Sequence, residues 1–139
     1  LGVILNEEGE IIAGVKDSSD KNLADLRESV LKRLSLGKGV GSGNTTLTLV
    51  VINKRMSPRH LQQFARQIHT AMGRYIYPFG TLLDGDTLYA VSTRSVGEDI
   101  HGSDIKLDLE SDSIYLGVIA SDLAKEAIWA AVGYSPKTT

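Results

Sequence analysis

Apolar and polar positions follow two periods along this chain, and the switches between them mark its elements. Leu1-Gly2-Val3-Ile4-Leu5 is apolar, Asn6-Glu7-Glu8-Gly9 is turn-like, and Glu10 to Val15 is again mainly apolar. This predicts a β-hairpin, with Gly9 free to take a positive φ. Lys16 to Asn22 reads as a polar loop. Asp25 to Leu36 fits a helix, with Leu26, Val30, Leu31 and Leu34 on one face. Lys32 and Arg33 near its end suit the helix dipole. Leu36 to Gly43, with glycines at 37, 39, 41 and 43, reads as a flexible tether. Thr45 to Ile52 then forms a β-branched, apolar run that predicts a buried strand.

The strongest helix signal follows. Ser57 suits an N-cap and Pro58 the first helical position. Leu61, Phe64, Ala65, Ile68 and Met72 recur at helical spacing as a core-facing stripe. Gly73 loosens the helix end, and Tyr75-Ile76-Tyr77-Pro78-Phe79-Gly80 reads as an aromatic connection that could line a pocket or pack between layers. Thr87 to Thr93 predicts a strand, Arg94 to Asp104 a loop, and Ile105 to Leu109 a short half-exposed strand. Ser111 and Asp112 suit the cap of a last helix whose apolar face is Ile114, Val118, Leu123, Ala127 and Ile128, with Trp129 as an anchor. Gly133 and Pro136 stop it, and residues 137–139 read as a frayed tail. Hairpin, helix, strand, helix, strand, strand, helix is the order expected of an α/β layered sandwich.

Composition narrows the class. At 139 residues the chain suits one domain with one core. The formal net charge of −2 makes no electrostatic case for nucleic acid or a membrane surface. Cysteine is absent, which removes disulfides, thiolate metal sites and cysteine nucleophiles. No apolar run is long enough to span a bilayer and no signal-peptide pattern opens the chain, so a cytoplasmic protein is expected. Leu1 stands without a preceding Met, directly in a strand-like run, as in a fragment or a processed piece.

Candidate chemistry centres on Gly41-Ser42-Gly43-Asn44-Thr45-Thr46. A deformable approach delivers a hydroxyl to the start of a strand. A threonine there can act as a nucleophile once its own freed α-amine serves as base. The same residues also read as an ordinary turn entering a strand. A phosphate loop does not fit, because Lys-Ser/Thr and a following helix are missing. A Rossmann-type reading lacks its glycine fingerprint. Asp84-Gly85-Asp86 reads as a plain turn, as half a calcium loop without its remaining ligands, or as two carboxylates at a strand mouth able to orient an amine. His60 and His69 lack a spacing or third ligand that suggests zinc and read as surface or packing histidines.

Several motifs then fall in register. Gly43-Asn44-Thr45-Thr46, Asn53 through Met56-Ser57-Pro58, Leu61, Phe64-Ala65, Gln67, His69, Pro78-Phe79, Asp84-Gly85-Asp86-Thr87-Leu88 and Leu116-Gly117-Val118-Ile119-Ala120-Ser121 run in the order of one family. The chain resembles the L-aminopeptidase/D-esterase family of N-terminal-nucleophile hydrolases, and within it the nylon-oligomer (6-aminohexanoate-oligomer) endo-hydrolases. The resemblance is strongest from Gly43 to Thr93. It implies a four-layer αββα sandwich, of which this chain is the C-terminal part. Residues 1–44 would end the larger subunit, and 45–139 would form the smaller one.

The resemblance further implies self-cleavage between Asn44 and Thr45, an acyl-enzyme on Thr45, and an acidic pair in Asp84 and Asp86, expected to bond the Thr45 amine and hydroxyl. No metal or cofactor is required. The implied partners are an amide-oligomer or peptide substrate, the remaining larger-subunit sequence, and further copies in a homo-oligomer of processed subunit pairs. Two departures stand out. The larger subunit's Tyr, Lys and Asn contributions to the site and oxyanion hole lie outside this chain, and Gly80 occupies a position where members close to it carry a histidine. An aminopeptidase for small or β-amino-acid peptides and a non-catalytic domain of the same fold are the alternatives.

Overall fold

Asn6 closes the first turn by itself. Its buried side chain accepts the Glu10 N–H at 2.7 Å through Oδ1 and donates to Glu10 Oε2 at 2.8 Å through Nδ2. Gly9 takes a φ of +79°, the conformation that glycine adopts without steric cost. The strands on either side, β1 (Val3–Leu5) and β2 (Ile11–Gly14), pair antiparallel with an irregularity between Ile4 and Leu5. The structure is a computed structural model, and it describes residues 2–14, 23–37, 45–82, 85–96 and 109–136. The expected loop at 16–22, most of the glycine tether, most of the 94–104 loop, residues 105–108 of the expected short strand and the 137–139 tail lie outside the described residues.

Helix α1 (Leu23–Ser35) starts and ends close to expectation, with Lys32 and Arg33 in its last turn. Leu26 is buried against Val3, Leu5 and Ile11, and Val30 packs beside them. Leu31, expected on the same face, is instead exposed.

Strand β3 (Leu47–Lys54) leads into α2 (Pro58–Met72). Ser57 caps α2 as expected, its hydroxyl accepting the His60 N–H at 3.3 Å, and Phe64, Ile68 and Met72 are buried. The aromatic connection contains an unexpected strand, β4 (Ile76–Tyr77), which pairs antiparallel with β1 and ends at a cis Tyr77–Pro78 bond. Two residues carry too little periodicity to announce a strand; β1's free edge supplies the pairing. Strand β5 (Thr87–Val96) returns beside β3 in parallel, so the described residues form one sheet ordered β2-β1-β4 and a second of β3 and β5.

The last helix, α3 (Leu109–Ala131), begins earlier than its expected cap, so Ser111 and Asp112 lie within its first turn and Leu109 is helical rather than extended. Its buried face also differs from expectation. Gly117, Ala124 and Ile128 turn inward, whereas Ile114, Val118 and Leu123 are exposed. The reason is packing distance. A helix apolar nearly all round does not reveal its inner face by hydropathy, and α3 meets α2 with its small residues. A Cβ at Gly117 would overlap the Gln67 carboxamide of α2. Trp129 is the anchor expected: it is buried, and its Nε1–H donates to the Leu5 carbonyl at 2.9 Å. Lys125 donates to Glu7 at 2.7 Å beside it, and that hydrogen bond raises the Lys125 pKa above its ordinary value.

Besides the small cluster around Leu26, a larger one joins α2, α3 and the β3–β5 pair. Phe64, Ile68, Met72, Ala124, Ile128 and Trp129 pack with Val50, Ile52, Leu88 and Ala90 from one face of the β3–β5 pair. The opposite face is open. Leu47, Leu49, Val51, Tyr89 and Val91 are all exposed, so β3 is half-covered rather than buried as expected. Only one face of these strands has helices over it among the described residues.

Candidate active site

The entrance to the parallel pair is braced from both strands. Asp86, just before β5, accepts the Thr46 N–H at 2.7 Å through Oδ1 and the Gly80 N–H at 3.0 Å through Oδ2. The Thr46 carbonyl in turn accepts the Thr87 N–H at 2.9 Å, and the Thr87 hydroxyl donates to the Gly85 carbonyl at 3.1 Å. One carboxylate thus ties the first residues of β3, the 80-loop and the start of β5 together. Hydrogen bonds with an ionised acceptor are the stronger kind, which makes this a firm joint.

Thr45 sits one residue before that joint and is exposed. The pairing Leu47↔Thr87, followed two residues back on both strands, sets Thr45 opposite Gly85. Contact matches register: a Cβ added to Gly85 would lie 2.8 Å from Thr45 Oγ1 and 3.2 Å from its Cγ2. The hydroxyl thus lies against Gly85, at the mouth of a strand pair, and the residue after it is held on both its N–H and its carbonyl.

Of the residues that sequence singled out, Thr45 and Asp86 meet here. Asp86 bonds the Thr46 and Gly80 amides, whereas the Thr45 amine and hydroxyl were the partners expected. Asn44 and Asp84 lie outside the described residues. Gly80, Gly85 and Thr46 were not singled out as site residues. Their part depends on cross-strand register, for which the only signal was the glycine between two aspartates.

The aromatic connection is used in packing. Phe79 packs against His69 with ring centroids 4.7 Å apart and the rings tilted by 45°, Tyr75 meets Trp129 edge-on, and Arg27 lies over Tyr77. A groove of about 340 Å³ runs between β3, α2 and α3, lined by Thr48, Val50, Phe64, Leu116, Ala120 and other apolar residues, and no titratable side chain lines it. Among the described residues no group of three or more His, Asp or Glu side chains could hold a metal ion, and no helix is long and apolar enough to cross a membrane.

The described residues form a mixed α/β domain in which Asp86 braces Thr46, and the exposed Thr45 side chain lies against Gly85 at the mouth of the strand pair. The profile of Peptidase family S58 matches residues 4–139, and the chain belongs to that family. It is 36% identical over 132 residues to the 6-aminohexanoate-oligomer endohydrolase of Kocuria sp. (strain KY2), covering 92% of this chain and 37% of the relative. The enzyme of the same name from Agromyces sp. (strain KY5R) is 34% identical over the same length, with the same coverage of each chain. An uncharacterized aminopeptidase of Mycobacterium leprae (strain TN) is 30% identical over 92 residues, 64% of this chain and 25% of the relative. The resemblance read from the motifs is borne out. The chain spans 37% of the length of the endohydrolases it matches.

Proposed function

We propose that this chain carries the nucleophile of a self-cleaving amidohydrolase, and that the nucleophile is the Thr45 hydroxyl. In the first reaction the hydroxyl adds to the Asn44 carbonyl and its proton passes to the departing Thr45 nitrogen, turning a peptide bond into an ester. Water then splits the ester, leaving the Asn44 carboxylate and a Thr45 with a free hydroxyl and a free α-amine. In the second reaction that amine takes the hydroxyl proton while the oxygen attacks a substrate amide. The substrate amine leaves with the proton, and water hydrolyses the acyl ester to restore Thr45.

The observation that carries this reading is the Thr45 hydroxyl set against Gly85, with Thr46 held by Asp86 directly after it. Asp84 is proposed as the second carboxylate. Residues 1–44 belong, on this reading, to the larger subunit and 45–139 to the smaller. The oxyanion donors come from sequence outside this chain. The open apolar face of β3 and β5 is where the second sheet of a four-layer αββα sandwich packs. Processed pairs assemble further into a homo-oligomer.

The substrates proposed are linear amides, with 6-aminohexanoate oligomers first because the endohydrolase relatives carry that name. An aminopeptidase acting on small peptides is the second reading, favoured by the name of the Mycobacterium leprae relative.

Intact-mass measurement of the full-length protein under denaturing conditions, beside Thr45→Ala, tests the assignment. Two fragments meeting at Asn44/Thr45 are expected in the wild type and one uncut chain in the variant. A wild-type chain still uncut after long incubation would leave no free amine to act as base and would favour a non-catalytic domain of this fold.

A further inference from the structure

We propose that Gly85 is a positioning residue for the Thr45 hydroxyl, its missing side chain being the space that hydroxyl needs. The inference rests on Thr45 as the self-processing nucleophile. Gly85 differs from four other glycines of the described residues. Gly9, Gly37, Gly80 and Gly133 have φ between +64° and +79°, and a Cβ on any of them would meet nothing within 4 Å. Those positions need glycine for the sign of φ. Gly85 is the reverse case. Its φ lies outside the left-handed range, so the sign of φ is not what calls for glycine there. The nearest atoms to an added Cβ are Oγ1, Cγ2 and Cβ of Thr45, at 2.8, 3.2 and 3.6 Å. The obstacle is the threonine side chain.

Neither partner can simply step back. Gly85 is held through its carbonyl by the Thr87 hydroxyl, and the next residue grips the Thr46 and Gly80 amides. The Thr46 carbonyl is fixed to Thr87. With the Gly85 carbonyl and the residue after Thr45 held, a methyl group at position 85 is relieved most directly by rotating the Thr45 side chain about χ1. Threonine has few staggered choices there, because two heavy atoms branch from its Cβ. Rotation moves the hydroxyl from the position it holds against Gly85, and misplacing a reacting atom by about 1 Å can cost on the order of a hundredfold in rate. Serine lacks Cγ2, so it relieves one of the two closest contacts.

The test uses the full-length protein and its own scission at Asn44/Thr45, which requires no substrate. Freshly translated chains carrying Gly85→Ala, Thr45→Ser, both, or neither are followed by intact mass over time. Thermal midpoints are compared in the uncut Thr45→Ala background with and without Gly85→Ala. Gly85→Ala is expected to slow scission at least about tenfold while leaving that midpoint within a few degrees. Thr45→Ser is expected to restore part of the rate when combined with Gly85→Ala, although by itself it slows scission. In fully cleaved chains with labelled threonine methyl groups, the Thr45 γ2 resonance, assigned by its loss in Thr45→Ser, is expected to shift on Gly85→Ala.

Wild-type scission in Gly85→Ala with an unmoved methyl resonance would overturn the positioning role. So would equal slowing by Thr45→Ser in both backgrounds. Scission that persists in Thr45→Ala would instead remove the nucleophile assignment itself, a result separable from either of these.

Discussion

Asp86 shows how one side chain can tie separate segments together beside a proposed nucleophile without touching it. Both of its oxygens are occupied by backbone N–H groups from separate segments, Thr46 and Gly80. Asp86→Asn keeps the shape but turns an NH₂ group toward one of those donors. We expect a loss of about 1–2 kcal/mol in stability, around the low end of what hydrogen bonds to charged groups contribute, since Asp86 is only half-buried. Self-cleavage should slow with it, because Thr46 is no longer held. Urea denaturation of the full-length protein with an unchanged slope would read the first effect. An unchanged midpoint would mean that water satisfies both amides equally well.

At the scale of elements, the α2–α3 contact sets two tendencies against each other. Replacing a helical glycine by alanine normally stabilises by about 1 kcal/mol. At Gly117 the new methyl group meets the Gln67 carboxamide, the movable end of a side chain that must then withdraw. We expect Gly117→Ala alone to be neutral or destabilising, and to become stabilising by about 1 kcal/mol in a Gln67→Ala background. Equal shifts in denaturation midpoint in both backgrounds would show that the two side chains do not compete. The same crowding explains why α3's inner face differs from the one its hydropathy predicts. Ile114, Val118 and Leu123 have the greater hydropathy, but close approach to α2 selects Gly117 and Ala124.

Across the whole molecule, the outer face of β3 and β5 is the feature most in need of a partner. Parallel strands are ordinarily covered on both faces, yet Leu49 and Leu47 are 66% and 75% exposed here. If a second sheet covers them in the full-length protein, Leu49→Lys should cost at least about 2 kcal/mol, since it puts an unpaired charge into an apolar contact. If the face stays in water, the change should be within about 0.5 kcal/mol. Chemical denaturation of the full-length variant distinguishes the two.

Local order was largely legible from the chain. Ser57-Pro58 fixed the start of α2, the 3.6-residue stripe gave its buried Phe64, Ile68 and Met72, and Gly9 marked the first turn. These signals are local: a cap, a period and a required φ act within a few residues. Membership of Peptidase family S58 was legible too, because several short motifs hold their spacing. Tertiary structure alone decided what depends on neighbours distant in sequence: β4 pairing with β1, the parallel register of β3 and β5, and the inner face of α3. It also decided that Asp86 grips Thr46 and Gly80, and that Gly85 stands opposite Thr45. Sequence placed a threonine at the start of a strand; the register across about forty intervening residues placed an empty Cβ position beside its hydroxyl.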